Sequence, residues 1–78
     1  MVTPEYVRDL IAQGIVCDHL EVDGDGAHFE AVIVSSLFDG KSRVARHQLV
    51  NRALGAQMGN EIHALSMKTL TPAEWKAL

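Results

Sequence analysis

One cysteine, two prolines and four aromatic residues are all that this 78-residue chain holds of those types. Cys17 alone forms no intrachain disulfide, and a single thiol builds no zinc finger. The longest apolar run, Ala31 to Val34, falls far short of the roughly 20 residues that a spanning helix needs. The start of the chain lacks a basic, apolar stretch with a small-residue cleavage site, so no secretory signal is visible. A composition 47% hydrophobic and 22% charged also excludes intrinsic disorder. The expectation is a reduced, cytosolic protein, with residues 1–78 forming a single domain. At this size folding buries only about 60% of the unfolded surface.

What is present is unevenly distributed. The net charge is −3, yet Lys41, Arg43, Arg46 and Arg52 fall within a twelve-residue segment that has no acid. The rest of the chain carries three bases against ten acids. Such a stripe suits phosphate or an acidic protein patch, and equally suits a solvated helix face.

Hydrophobic period and turn chemistry order the elements. Thr3-Pro4-Glu5 opens a helix with a hydroxyl cap and proline at the first helical position. Val7, Leu10 and Ile11 share its apolar face, and Gly14 is expected to stop it. Residues 16–22 alternate as a half-buried strand, Asp23-Gly24-Asp25-Gly26 reads as a turn, and a second strand runs from Ala27 to about Ser35. Apolar and charge pairing suggest a register in which Leu20 meets Phe29, Glu21 meets His28 and His19 meets Glu30. Phe38-Asp39-Gly40 reads as another turn. A helix is expected from Ser42 to about Met58, with Val50, Leu54 and Met58 on one side and Gly59-Asn60 as its stop. Glu61 to Thr69 reads as a third strand. Thr71-Pro72-Ala73-Glu74 has capping-box spacing and opens a last helical turn bearing Trp75. The order is α-β-β-α-β-α. Leu10, Ile11, Leu20, Val22, Phe29, Ile33, Val50, Leu54, Leu65 and Trp75 are expected to be buried in whole or part.

Enzyme motifs fail on inspection. Gly40-Lys41-Ser42 resembles the tail of a P-loop, but Ser35 stands where the first glycine must be. The Asp-Gly repeat is too short for a calcium loop, and neither an HExxH pair nor a G-x-S-x-G elbow occurs. Cys17 and His19, two apart on one strand, are a weak nucleophile–base pair. No enzyme is expected. Among the histidines, His47 reads as packing at the helix–sheet seam, and His19 and His28 as members of a polar sheet face. His63, between Ile62 and Ala64, is either structural or a metal ligand through its neutral imidazole.

Four runs carry a resemblance: Val34-Ser35-Ser36-Leu37-Phe38-Asp39-Gly40-Lys41-Ser42, Arg46-His47-Gln48-Leu49-Val50-Asn51, Ile62-His63-Ala64-Leu65-Ser66-Met67-Lys68-Thr69, and Thr71-Pro72-Ala73-Glu74-Trp75. Together with Ala27-His28-Phe29 at the start of the second strand, they resemble the BolA-like family over essentially the whole chain, most closely its short IbaG-type branch. The resemblance implies an α+β fold of BolA-like, class II KH-like type: a three-stranded mixed sheet with helices packed on one face. It also implies a non-enzymatic partner of monothiol (CGFS-type) glutaredoxins that shares a [2Fe-2S] cluster. In that arrangement the glutaredoxin cysteine and glutathione supply thiolates, and the BolA-like subunit supplies histidine. Replacing thiolate by imidazole on one iron raises the cluster potential.

The family's ligand histidine falls on His63. Many members add a His or Cys in the loop between the first two strands, but Asp23 to Gly26 contains neither. His28, just past that loop, is the nearest imidazole to stand in. The family's DNA-binding association implies an alternative role as a stress or morphology regulator through the helix-turn-helix-like segment 41–58, with Lys41, Arg43, Arg46 and Arg52 as contacts. Negative overall charge and the absence of a GXXG loop weigh against it. Expected partners are therefore a monothiol glutaredoxin, DNA held weakly, and a second copy in a weak homodimer, with no membrane.

Overall fold

The computed structural model describes residues 2–57, 62 and 64–78 of the chain. Helix α1 spans Pro4–Gly14, strands β1 and β2 span His19–Gly24 and His28–Val34, and helix α2 spans Arg43–Leu54. Strand β3 spans Ala64–Leu70 and helix α3 spans Pro72–Lys76. One-turn 3-10 segments at Ser36–Phe38 and Gly55–Gln57 flank α2. No described helix is long and apolar enough to cross a membrane.

The two expected N-terminal caps, at Thr3 and Thr71, are made, and Ser42 caps α2 as well. Thr3 accepts a hydrogen bond from the Tyr6 N–H, and Ser42 from the Ala45 N–H. Thr71 and Glu74 form both halves of a capping box. Gly14 is the last residue of α1, and its lack of a side chain serves packing rather than a left-handed turn. A Cβ there would lie 2.6 Å from that of Ala53, so this glycine lets α1 and α2 touch. Helix α2 ends earlier than expected, at Leu54, because Gly55 takes φ 60° and turns the chain. The expected stop at Gly59-Asn60 and the apolar position Met58 lie outside the described residues.

Strand β2 is central. It pairs antiparallel with β1 and parallel with β3, giving the expected three-stranded mixed sheet of an α+β fold. Its alternate residues Phe29, Ala31 and Ile33 are buried against Val7 and Ile11 of α1 and Val50 and Leu54 of α2. Each large apolar side chain so buried contributes about 1.5–3 kcal/mol. Phe38, read from sequence as part of a turn, is fully buried. The 3-10 segment swings it into the core and leaves its neighbour Leu37 half exposed. Ile15 and Ile62 complete the cluster.

The hairpin register differs from the expected one by a slide of two residues on each strand. Leu20 faces Ile33, Val22 faces Ala31 and Gly24 faces Phe29. Because the slide is even, the apolar face stays apolar. The expected histidine–glutamate pairs are nevertheless not formed. Glu21 lies opposite Val32, and His19 lies opposite Val34. His19 Nε2 is instead 2.8 Å from Glu21 Oε2, two residues along the same strand. Its ring stacks on Trp75 of α3, with centroids 4.6 Å apart. Val34 is fully buried yet outside the main core cluster. The α1–α2 layer thus covers one sheet face, while Trp75 closes over the end of the other.

Candidate functional site

The hairpin end of the sheet gathers the polar residues that the sequence singled out. Asp25 organises the turn. Its Oδ1 accepts the Ala27 N–H at 3.0 Å and the His28 N–H at 2.9 Å, while the Asp25 N–H donates to the His28 carbonyl at 3.2 Å. His28 is therefore held by its backbone on both sides while its ring remains exposed. Its partner across β3 is Ala64, which is too small to crowd an imidazole. Asp23, Asp25, His28, Glu30, Ala64 and Ser66 line a cleft of about 470 Å³ at this end.

Hydrogen bonds from the His28 N–H first, and then from the Ala27 N–H, hold the Asp25 carboxyl below the usual carboxylate range. A lowered native pKa means that the turn is fully supported above the ordinary Asp range and loses that support as pH falls through the lower native value. The amide resonances of Ala27 and His28 should therefore stay constant from neutral pH down through about pH 4 and move together below it. Asp25→Ala should show the acid pattern already at neutral pH. Identical shifts in wild type and variant at neutral pH would discount the carboxylate's role.

His63 lies outside the described residues. Its following residue, Ala64, is the first of β3 and sits in register with His28. Cys17 belongs to the opposite end of the sheet, where the Asp18 N–H pairs with the Val34 carbonyl. Burial, followed by the nearby Asp18 charge, pushes its thiol up from the ordinary value. A raised thiol pKa disfavours the thiolate that metals and electrophiles require. Among the described residues, no group of three or more His, Cys, Asp or Glu could hold a metal ion.

Three of the four basic residues, Lys41, Arg43 and Arg46, line one groove, and Arg52 does not. Arg46 turns inward, with its side chain only 13% exposed. Its Nε donates to the Lys41 carbonyl at 2.9 Å, and its Nη1 donates to the Thr69 carbonyl at 3.1 Å and to Glu74 Oε1 at 2.8 Å. The guanidinium also lies over the Phe38 ring, 5.9 Å from its centroid. Arg52 is exposed on the last turn of α2 and lines no part of the groove that Lys41 and Arg43 border. That groove, about 610 Å³, also takes in His47, Met67, Lys68 and Leu78. Sequence reasoning missed Lys68, although its place in the β3 alternation was enough to put it on the face opposite Leu65 and Met67.

Two helices on one face of a small mixed sheet, with a fixed and exposed histidine at its hairpin end, are what the fold defines, and the chain belongs to the BolA-like protein family, whose profile matches residues 14–74. Among curated proteins it is similar to the acid stress protein IbaG of Escherichia coli (strain K12), 40% identical over 70 residues that cover 88% of this chain and 83% of the relative. The structure of a BolA homologue from Coxiella burnetii superposes with a TM-score of 0.88 at 43% identity, covering 97% of this chain and 99% of the other. The BolA domain of SufE1 from Arabidopsis thaliana follows with a TM-score of 0.81 at 32% identity, covering 91% and 93%.

Proposed function

We propose that the chain is a non-enzymatic iron–sulfur trafficking adaptor that binds a monothiol glutaredoxin and takes part in holding a [2Fe-2S] cluster as shared cargo. Membership of the BolA-like family supports the theme. The observation that supports the finer reading is that exposed His28 pairs with Ala64, the first residue of β3 and the one that follows His63 in the sequence. In this reading His63 is the chain's iron ligand, His28 stands in for the loop ligand other members carry, and glutaredoxin and glutathione supply the thiolates. A neutral imidazole donates through one ring nitrogen while a hydrogen bond at the other fixes its tautomer. His28, the first residue of β2, suits that task because the backbone ladder holds its origin still.

Anaerobic reconstitution with a monothiol glutaredoxin, iron, sulfide and glutathione tests the assignment. His63→Ala should fold normally and lose the histidine-ligated circular dichroism and Fe–N signature. His28→Ala should produce a comparable loss if it replaces the loop ligand, and a smaller one if it is only part of the cleft wall. Protonation competes with iron for imidazole, so the wild-type signature should weaken on acidification before the domain unfolds. An unaltered signature in His63→Ala would return that residue to a purely structural role.

The nucleic-acid reading retains Lys41 and Arg43, but Arg46 is committed internally and Arg52 stands apart. Few phosphate contacts would remain, and affinity would be weak and steeply salt-dependent.

A further inference from the structure

Strand β3 is an edge strand of the sheet. Two hydrogen bonds show how its backbone alternates. The Ser35 N–H donates to the Leu70 carbonyl from the β2 side at 3.0 Å, whereas Arg46 reaches the Thr69 carbonyl at 3.1 Å. Both backbone groups of a strand residue point to the same side. Ala64, Ser66, Lys68 and Leu70 therefore face β2, and Leu65, Met67 and Thr69 face outward. Among the described residues, no backbone group pairs with the outward N–H and C=O of Leu65 and Met67 or with the Thr69 N–H. The strand is seven residues long and has no proline, so it lacks two common means of blunting an edge. Its outer side opens into the groove bordered by Lys41, Arg43 and Lys68, whose one acid, Glu74, is already paired with Arg46.

We propose that the outer edge of β3, from Leu65 to Thr69, takes up an extended acidic segment of a partner protein as a fourth strand. Main-chain bonds to this edge would supply affinity, and the basic rim would choose the sign of the incoming side chains. Pairing with a second copy is disfavoured, because a two-fold axis on this edge would bring two identical basic rims together. The proposal does not rest on cluster binding, and its test contains no iron and no glutaredoxin.

The probe is a short peptide alternating glutamate and valine, titrated into the isotopically labelled full chain. The Leu65 and Met67 amides should shift and their hydrogen exchange should slow. The same peptide N-methylated at every second residue, on its bonding side, should lose that effect while keeping its charge. A lysine–valine counterpart should not bind. The exposed triple reversal Lys41→Glu, Arg43→Glu, Lys68→Glu should weaken binding about tenfold with an unchanged amide spectrum elsewhere. Binding indifferent to N-methylation, or shifts centred away from β3, would overturn the proposal. So would a short single-stranded oligonucleotide that binds the same amides more tightly than the acidic peptide, which would give the groove to nucleic acid.

Discussion

Arg46→Ala should lower folding stability by about 2–4 kcal/mol, whereas Arg43→Ala, three positions earlier on α2, should stay within about 0.5 kcal/mol of wild type. Both residues belong to the same basic stripe in the sequence, so the contrast isolates what the fold does with one of them. An exposed ion pair is worth roughly 0–1 kcal/mol, and the Arg46–Glu74 pair by itself would rate little more because Glu74 is half exposed. The two backbone carbonyls make the difference. Lys41 lies just before α2 and Thr69 is on β3, and one planar guanidinium satisfies both while packing over Phe38. Truncation leaves those carbonyls without that donor and removes the cover from the ring. Arg46→Lys should recover little, since an ammonium lacks the fork that reaches three acceptors.

In wild type, the Arg46 side chain and then the Thr71 N–H hold the Glu74 carboxyl below the usual range. That support is complete above the ordinary Glu pKa and is lost as pH falls through the lowered native value. The Arg46→Ala variant should therefore have a flatter acid limb. Urea unfolding monitored by circular dichroism decides the matter: equal midpoints for Arg46→Ala and Arg43→Ala would refute the clamp.

Gly24→Ala should cost about 1–3 kcal/mol, through overpacking rather than lost freedom of φ. A Cβ at this position would stand 2.4 Å from the His28 carbonyl oxygen and 2.6 Å from Phe29 Cδ1. One obstacle is backbone already tied into the turn through Asp25, and the other is a fully buried ring, so neither can move without disturbing its neighbours. Gly40 provides the comparison. It has φ +73° and open space around it, so Gly40→Ala should cost only the backbone strain, about 1–2 kcal/mol, and leave the hairpin amides in place. Gly24→Ala should shift Asp25, Ala27 and His28 together in the amide spectrum and thereby deform the cleft. A Gly24→Ala protein with wild-type stability and unshifted turn amides would contradict the close approach.

The sequence and the structure part company in a regular way. Local signals were legible: the Thr3-Pro4 start, the Thr71–Glu74 capping box and the apolar period of β2 all appear where the residues put them. The hairpin register was not. Asp23-Gly24-Asp25-Gly26 offers two Asp-Gly turn sites spaced two residues apart, and alternation cannot distinguish registers that differ by an even slide. Complementary charges favoured the first site; the Asp25 side chain bonding the Ala27 and His28 amides goes with the second. Arg46 was read as a surface contact for a related reason. Its partners Thr69 and Glu74 are 23 and 28 residues away, and nothing in the helix period of 43–54 announces them. At the candidate site, residue type was legible and geometry was not. His28 could be named, but the fixed backbone and the small residue opposite it depend on pairings that only the folded sheet defines.

The stacking of Trp75 on His19 has an optical consequence. Trp75 is the chain's one tryptophan, and it rides on a five-residue helix that contributes no fully buried side chain. Intrinsic fluorescence therefore watches the carboxy-terminal turn lift from the sheet, whereas far-ultraviolet circular dichroism watches the whole backbone melt. For this protein, agreement between those two signals is itself a measurement, because it reports whether the last turn and the core come apart in a single cooperative step.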